Sequence, residues 1–140
     1  MHTVKSIVGL LLAGSLALSA YEISAATPAD IQKSLEAAAR ASTPGFNGFS
    51  AVRGQQFYSS THGNEWSCSS CHTASPVAAG KHAKTSKEIA PLAPAANPQR
   101  FTDAAKVEKW FNRNCNDVVG RICTAQEKGD VIAYLMSLAK

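Results

Sequence analysis

The stretch Cys68-Ser69-Ser70-Cys71-His72 governs how the rest of the chain is read. C-x-x-C-H is the attachment sequence of c-type haem, and its spacing has a geometric reason. Two thiols about one helical turn apart can each add to a haem vinyl group. The imidazole that follows is then placed under the iron as proximal ligand. Cys68, Cys71 and His72 are therefore the candidate cofactor residues, and one covalent haem c is the expected cofactor. Blander readings are a disulfide, a redox-active C-x-x-C, or half of a zinc site. Zinc needs about four nitrogen or sulfur ligands, and only His62, His82, Cys115 and Cys123 remain to supply them. A thioredoxin-like motif would sit beside a βαβ pattern, and the chain has none.

Upstream of this motif the N-terminus reads as an export signal. Lys5 gives a positive start, Ile7 to Ala20 is apolar apart from small Gly and Ser residues, and Ser24-Ala25-Ala26 offers small residues for cleavage before Thr27. An uncleaved membrane anchor is the competing reading, disfavoured by the short apolar run. Residues 1–26 are thus expected to be removed, leaving one domain over 27–140 in the periplasm, where cysteines can oxidise. The 140 residues carry 45% hydrophobic and 17% charged side chains and a net charge of +4. Such a composition excludes intrinsic disorder and is too dilute in charge for a nucleic-acid binder. Monomer is the default for so small a domain.

The remaining text is helical with one long interruption. Helices are predicted over Ala29–Ala41, Phe49–Ser59, from a Thr102 cap through about Asn114, and over Ala125–Ala139. Thr124 and Glu127 form a capping-box pattern at the start of the last one. Pro76, Pro91, Pro94 and Pro98 break regular structure between Thr73 and Pro98, leaving room for one short turn around Thr85–Ile89. No useful alternating pattern appears, so no sheet is expected. A glycine at 54 beside Phe57 and Tyr58, with Tyr134 and Leu135 on the last helix, would let those two helices cross closely; ordinary core packing explains the same residues. An all-α domain of this size with a long irregular loop needs something besides side chains at its centre.

The second axial ligand is less obvious. Electron-transfer cytochromes c often use a methionine, yet Thr73 to Asp130 holds none. Met136 falls on an apolar stripe with Ile132 and Leu135 and is expected in the core. His82 stands in a polar Gly-Lys-His-Ala-Lys stretch and reads as exposed loop. Val107, Trp110, Phe111 and Asn114 share one helix face, so an amide ends a stripe that is otherwise apolar. Asn114 or Asn116 could equally terminate that helix in a left-handed conformation, and spacing does not choose. Cys115 and Cys123 are left without other partners once Cys68 and Cys71 hold haem. In an exported chain a disulfide is the natural reading, and two free buried cysteines the alternative.

The segments KEIAPLAP (87–94), RFTD (100–103), VEKW (107–110), RNCN (113–116) and GRICT (120–124), together with CSSCH, closely resemble the sphaeroides haem protein family of monohaem cytochromes c. The resemblance is most specific from Lys87 to Thr124 and looser over Thr27–Trp66. It implies a class I cytochrome c-like fold, a Cys115–Cys123 bridge, and Asn114 as sixth ligand to the oxidised haem. It further implies that Asn114 leaves on reduction, so that the ferrous iron binds oxygen, nitric oxide or carbon monoxide. The electron donors it implies are a dihaem cytochrome c and a membrane b-type cytochrome. Trp110 and Phe111 would then line the haem pocket. Competing functions are a plain electron shuttle with His82 as permanent ligand, and a small-molecule reductase or oxidase. No dedicated distal acid–base pair is visible in the sequence, so weak or no turnover is expected.

Overall fold

Capping chemistry sets the first helix. Thr27 accepts a hydrogen bond from the Asp30 amide while the Asp30 carboxylate accepts from the Thr27 amide, and Pro28 occupies the first turn. Helix α1 then spans Pro28–Ser42. The computed structural model describes residues 25–139. The expected export signal lies outside them, apart from Ala25 and Ala26. Helix α2 (Ala51–Ser59) is capped by Ser50, and α3 (Cys68–His72) by Ser67. A two-stranded antiparallel ladder follows, β1 (Gly80–Lys81) with β2 (Glu88–Ile89), in the register Gly80 to Ile89 and Lys81 to Glu88. Helix α4 covers Ala104–Val119 and α5 covers Ala125–Met136. Among the described residues no helix is long and apolar enough to cross a membrane.

Helices α2 and α5 pack most closely, and α1 lies against α5. Gly54 makes the crossing possible, since a Cβ there would sit 1.9 Å from the Asp130 carbonyl oxygen. The expected approach of Gly54 to the Tyr134 helix is thus realised. Tyr58 and Tyr134 meet at 5.5 Å between ring centroids and, with Val131 and Leu135, form the centre of the core. Phe57, Leu92, Phe101 and Phe111 pack around it. The crossing is also tied by charge. Asp130 is buried; it accepts from Arg53 Nε (2.8 Å), Arg53 Nη2 (2.9 Å) and the Ser50 amide (2.7 Å). Both carboxylate oxygens accept from a donor, and the charge is paired with Arg53, so the carboxylate is buried with its partners.

Five expectations need correction. A short ladder exists where no sheet was expected, because two-residue strands leave no periodic trace in a sequence. The cap of α4 is Asp103, whose carboxylate accepts from the Lys106 amide, while the Thr102 hydroxyl donates to the Gln99 carbonyl instead. That helix does not stop near Asn114. It runs on to Val119 and ends at Gly120 with φ 75°, because Cys115 and Val118 are buried and hold the extra turn in place. Asn114 and Asn116 therefore do not terminate it. Helix α5 stops at Met136, and Met136 is 40% exposed rather than in the core. Ile132 and Leu135 fill the buried stripe without it.

Candidate functional site

Helix α3 presents Cys68, Cys71 and His72 on a single short turn. Ser67 and Ser70 cap it reciprocally, which lets five residues form a helix at all. Neither cysteine is in a disulfide. Burial pushes the Cys68 thiol up to about 11, the opposite of the lowered value that a redox-active C-x-x-C needs. Burial, aided by the nearby Arg100 charge, pushes the His72 imidazole down to about 4. A neutral imidazole with its lone pair available is the form that binds a metal. Among the described residues no three His, Cys, Asp or Glu side chains gather as a bare-ion site. Two thiols and one imidazole on one turn match the donor set of a covalently held porphyrin, not of zinc.

The surroundings hold this turn rigidly. Thr73, directly after His72, has φ 63°, and its carbonyl accepts a 2.7 Å hydrogen bond from the buried Tyr58 hydroxyl. Gly80 lies so close that a Cβ would sit 2.1 Å from the Cys71 carbonyl oxygen. The Ala83 amide donates to Cys71 Sγ at 3.3 Å. Arg100, near His72, donates to the Ala90 and Pro91 carbonyls at 2.7 and 2.9 Å, clasping the proline-rich loop.

Helix α4 carries the candidate distal residues. Trp110 is 48% exposed, Asn114 one turn further is exposed, and Phe111 packs on the core. Among the described residues the Asn114 side chain makes no hydrogen bond, so its amide oxygen is available as a ligand. An exposed indole beside an unbonded amide is a surface that a flat apolar group would cover. Cys115 and Cys123 form a disulfide with Cα atoms 5.7 Å apart, fixing the backbone next to Asn114. Helix α4 is further held by the Lys128–Glu108 pair at 2.8 Å and by Asn64 Nδ2 donating to the Val118 carbonyl at 2.9 Å.

The other candidates separate from this arrangement. His82 belongs to the β1–β2 turn, where its Nδ1 accepts from the Thr85 amide at 3.3 Å. Met136 is on α5 at the surface. A cleft of about 500 Å³ between α2 and α5, lined by Arg53, Phe57, Glu127 and Asp130, contains none of the haem-motif residues. Sequence reasoning missed Tyr58 as the anchor of Thr73, Gly80 as the backrest of Cys71, and Asn112, whose buried Oδ1 has no hydrogen-bond partner. A buried tyrosine hydroxyl needs an acceptor, but nothing in the sequence says which.

A family described as a domain of unknown function (DUF1924) matches residues 44–135. The cytochrome c-type protein SHP of Cereibacter sphaeroides is 47% identical over 113 residues, 78% of this chain and 82% of that protein. The chain belongs to the SHP family of c-type cytochromes. A structure of oxidised SHP, described as an oxygen-binding cytochrome c, superposes on it with a TM-score of 0.72 and 44% identity, over 81% of this chain and 99% of that one. The solution structure of cytochrome c'' from Methylophilus methylotrophus, which bears on haem-ligand detachment in that protein, gives 0.69 and 38%, over 81% and 94%. The SHP-family fold of this chain is the cytochrome c fold, and its cofactor is one covalent haem c.

Proposed function

We propose that this SHP-family protein is a periplasmic monohaem cytochrome that accepts electrons from another cytochrome. In this reading Cys68 and Cys71 attach the haem, His72 is the proximal ligand, and Asn114 is the distal ligand of the oxidised state only. On reduction the Asn114 side chain withdraws and leaves the position to oxygen, nitric oxide or another diatomic. A dihaem cytochrome c and a membrane b-type cytochrome are the proposed electron donors.

The observation that carries this is the unbonded Asn114 amide, beside Trp110 and next to the Cys115–Cys123 bridge, in a chain with no methionine from Thr73 to Asp130. When bound, the haem would supply a one-electron iron centre, held through Cys68, Cys71 and His72 and able to take a further ligand. An amide oxygen is a hard, weak, neutral ligand, matched better to the ferric than to the softer ferrous state. Asn114 sits five residues before the end of α4, so its withdrawal is a rotation about its own side-chain bonds while the helix stays formed. The disulfide keeps the adjacent backbone in place during that rotation. Trp110 and Phe111 give the position low polarity, which favours a diatomic over an ion. Related proteins lend support: one is described as oxygen-binding, and the other was studied for ligand detachment.

Optical and resonance Raman spectra of the oxidised and reduced protein, with and without carbon monoxide, test the reading. Asn114→Ala is expected to lose the low-spin ferric spectrum and keep carbon monoxide binding when reduced. His82→Ala is expected to change neither. A reduced protein that stays six-coordinate and ignores carbon monoxide would overturn the switch.

A further inference from the structure

The β1–β2 hairpin has no part in the reading above, yet it is built against the haem-attachment turn. Its loop is closed by the His82 amide donating to the Lys87 carbonyl (2.8 Å) and the Ser86 amide to the His82 carbonyl (2.9 Å). Three contacts fix it on the α3 side: Gly80 against the Cys71 carbonyl, the Ala83 amide on Cys71 Sγ, and Lys84 Nζ 4.6 Å from the Trp66 ring centroid. The charge it carries is one-sided. Lys81, Lys84 and Lys87 are all exposed, and Glu88 is the only acid between Gly80 and Ile89. Among the described residues none of the three lysines forms an ion pair, whereas Arg53, Lys106, Arg121 and Lys128 do.

We infer that this hairpin is the docking surface for the protein's electron-transfer partner, and that the partner presents an acidic face around its own redox centre. The inference rests on the assignment of Cys71 as a haem-attachment residue and adds where the electron crosses. Electron transfer requires the two centres to approach closely, and this hairpin is exposed chain packed directly against Cys71, the residue that would bond the cofactor. Three cations held there by backbone contacts draw an acidic surface to that edge and orient it before contact. Unpaired surface lysines lose little by being covered with carboxylates, and their attraction is screened by salt.

The test uses the holoprotein and compares two triple variants of equal net charge. One is Lys81→Glu, Lys84→Glu, Lys87→Glu; the other reverses Lys33, Arg40 and Lys106 to Glu. Oxidation of the reduced protein by ferricyanide, one electron passing to the trianion, is followed by stopped flow. Between about 10 mM and about 500 mM salt the unaltered protein's rate is expected to fall about tenfold. The hairpin variant is expected to invert that slope, and the scattered variant to keep its sign. Binding of flavodoxin, an acidic electron-transfer protein, is expected to shift backbone amide resonances of residues 80–89 first. Equal salt slopes in the two variants, with haem retained in acidic butanone, would overturn the hairpin alone. Haem released by acidic butanone would overturn the attachment reading beneath it. Sedimentation with phosphatidylglycerol vesicles that depends on the three lysines, with unchanged flavodoxin shifts and ferricyanide rates, would make the surface a lipid site and overturn the proposal.

Discussion

Tyr58 is fully buried and yet carries a hydroxyl, and the structure accounts for it by one acceptor, the Thr73 carbonyl at 2.7 Å. That carbonyl belongs to a non-glycine residue at φ 63°, directly after His72. A threonine pays in backbone energy for this conformation, so the hydrogen bond serves both to satisfy a buried group and to hold the residue after His72. Burial pushes the phenol's ionisation far up, so it remains a donor at every physiological pH. Tyr58→Phe removes the donor and leaves the carbonyl of the half-buried Thr73 without this partner. We expect a loss of about 1–3 kcal/mol, read from guanidinium unfolding of the holoprotein. An unchanged unfolding midpoint would mean that the carbonyl finds water. Gly54 shows the same principle in reverse, a residue whose value is the absence of a side chain where two backbones nearly touch.

At the scale of the element, capping side chains set where the helices begin and packing sets where they end. The Thr124–Glu127 capping box was legible from four residues, and the structure has both hydrogen bonds. Arg121 adds a bidentate pair to the same carboxylate, at 2.8 and 2.6 Å. Partial burial would raise the Glu127 ionisation, but the hydrogen bonds from Arg121 and from the Thr124 backbone outweigh it and hold the carboxyl below its ordinary value. The sign follows. Because the folded value is depressed, Glu127 contributes stability above its unfolded value, near 4.5, and loses it as pH falls through the folded one. Glu127→Gln is expected to be less stable than the unaltered protein at neutral pH. The gap should narrow as pH drops below about 4.5, measured as thermal midpoint against pH. A gap constant with pH would remove the charge from the explanation. The C-terminal end of α4 was misjudged because asparagines at 114 and 116 are good helix terminators on their own. Burial of Cys115 and Val118 overrides them, and only Gly120 supplies the left-handed exit.

For the whole molecule, the question is what attaches α4, which bears Asn114, to a core built from α1, α2 and α5. Helix α4 makes few close backbone approaches to the other helices, and beside the packing of Phe111 it is tied by the disulfide, the Lys128–Glu108 pair and Asn64 on the Val118 carbonyl. Replacing Cys115 and Cys123 together by Ala is expected to cost about 2–3 kcal/mol, the loop-entropy value for a bridge this short. If Asn114 is the ferric ligand, as proposed, it should also broaden the ferric low-spin spectrum, because the backbone beside Asn114 is then less fixed. A variant with the parent's stability and spectrum would show that the other ties suffice. The motif CSSCH, the Thr124–Glu127 capping box, the pairing of the two remaining cysteines and the Gly54 crossing could all be read from the chain, since each depends on residues adjacent in sequence or on chemistry with few possible partners. The true end of α4, the short ladder, the exposure of Met136, and the contacts of Tyr58, Gly80 and Arg100 appeared only in three dimensions. They depend on which distant backbone atoms come within a few ångströms of one another, and a local pattern carries no record of that distance.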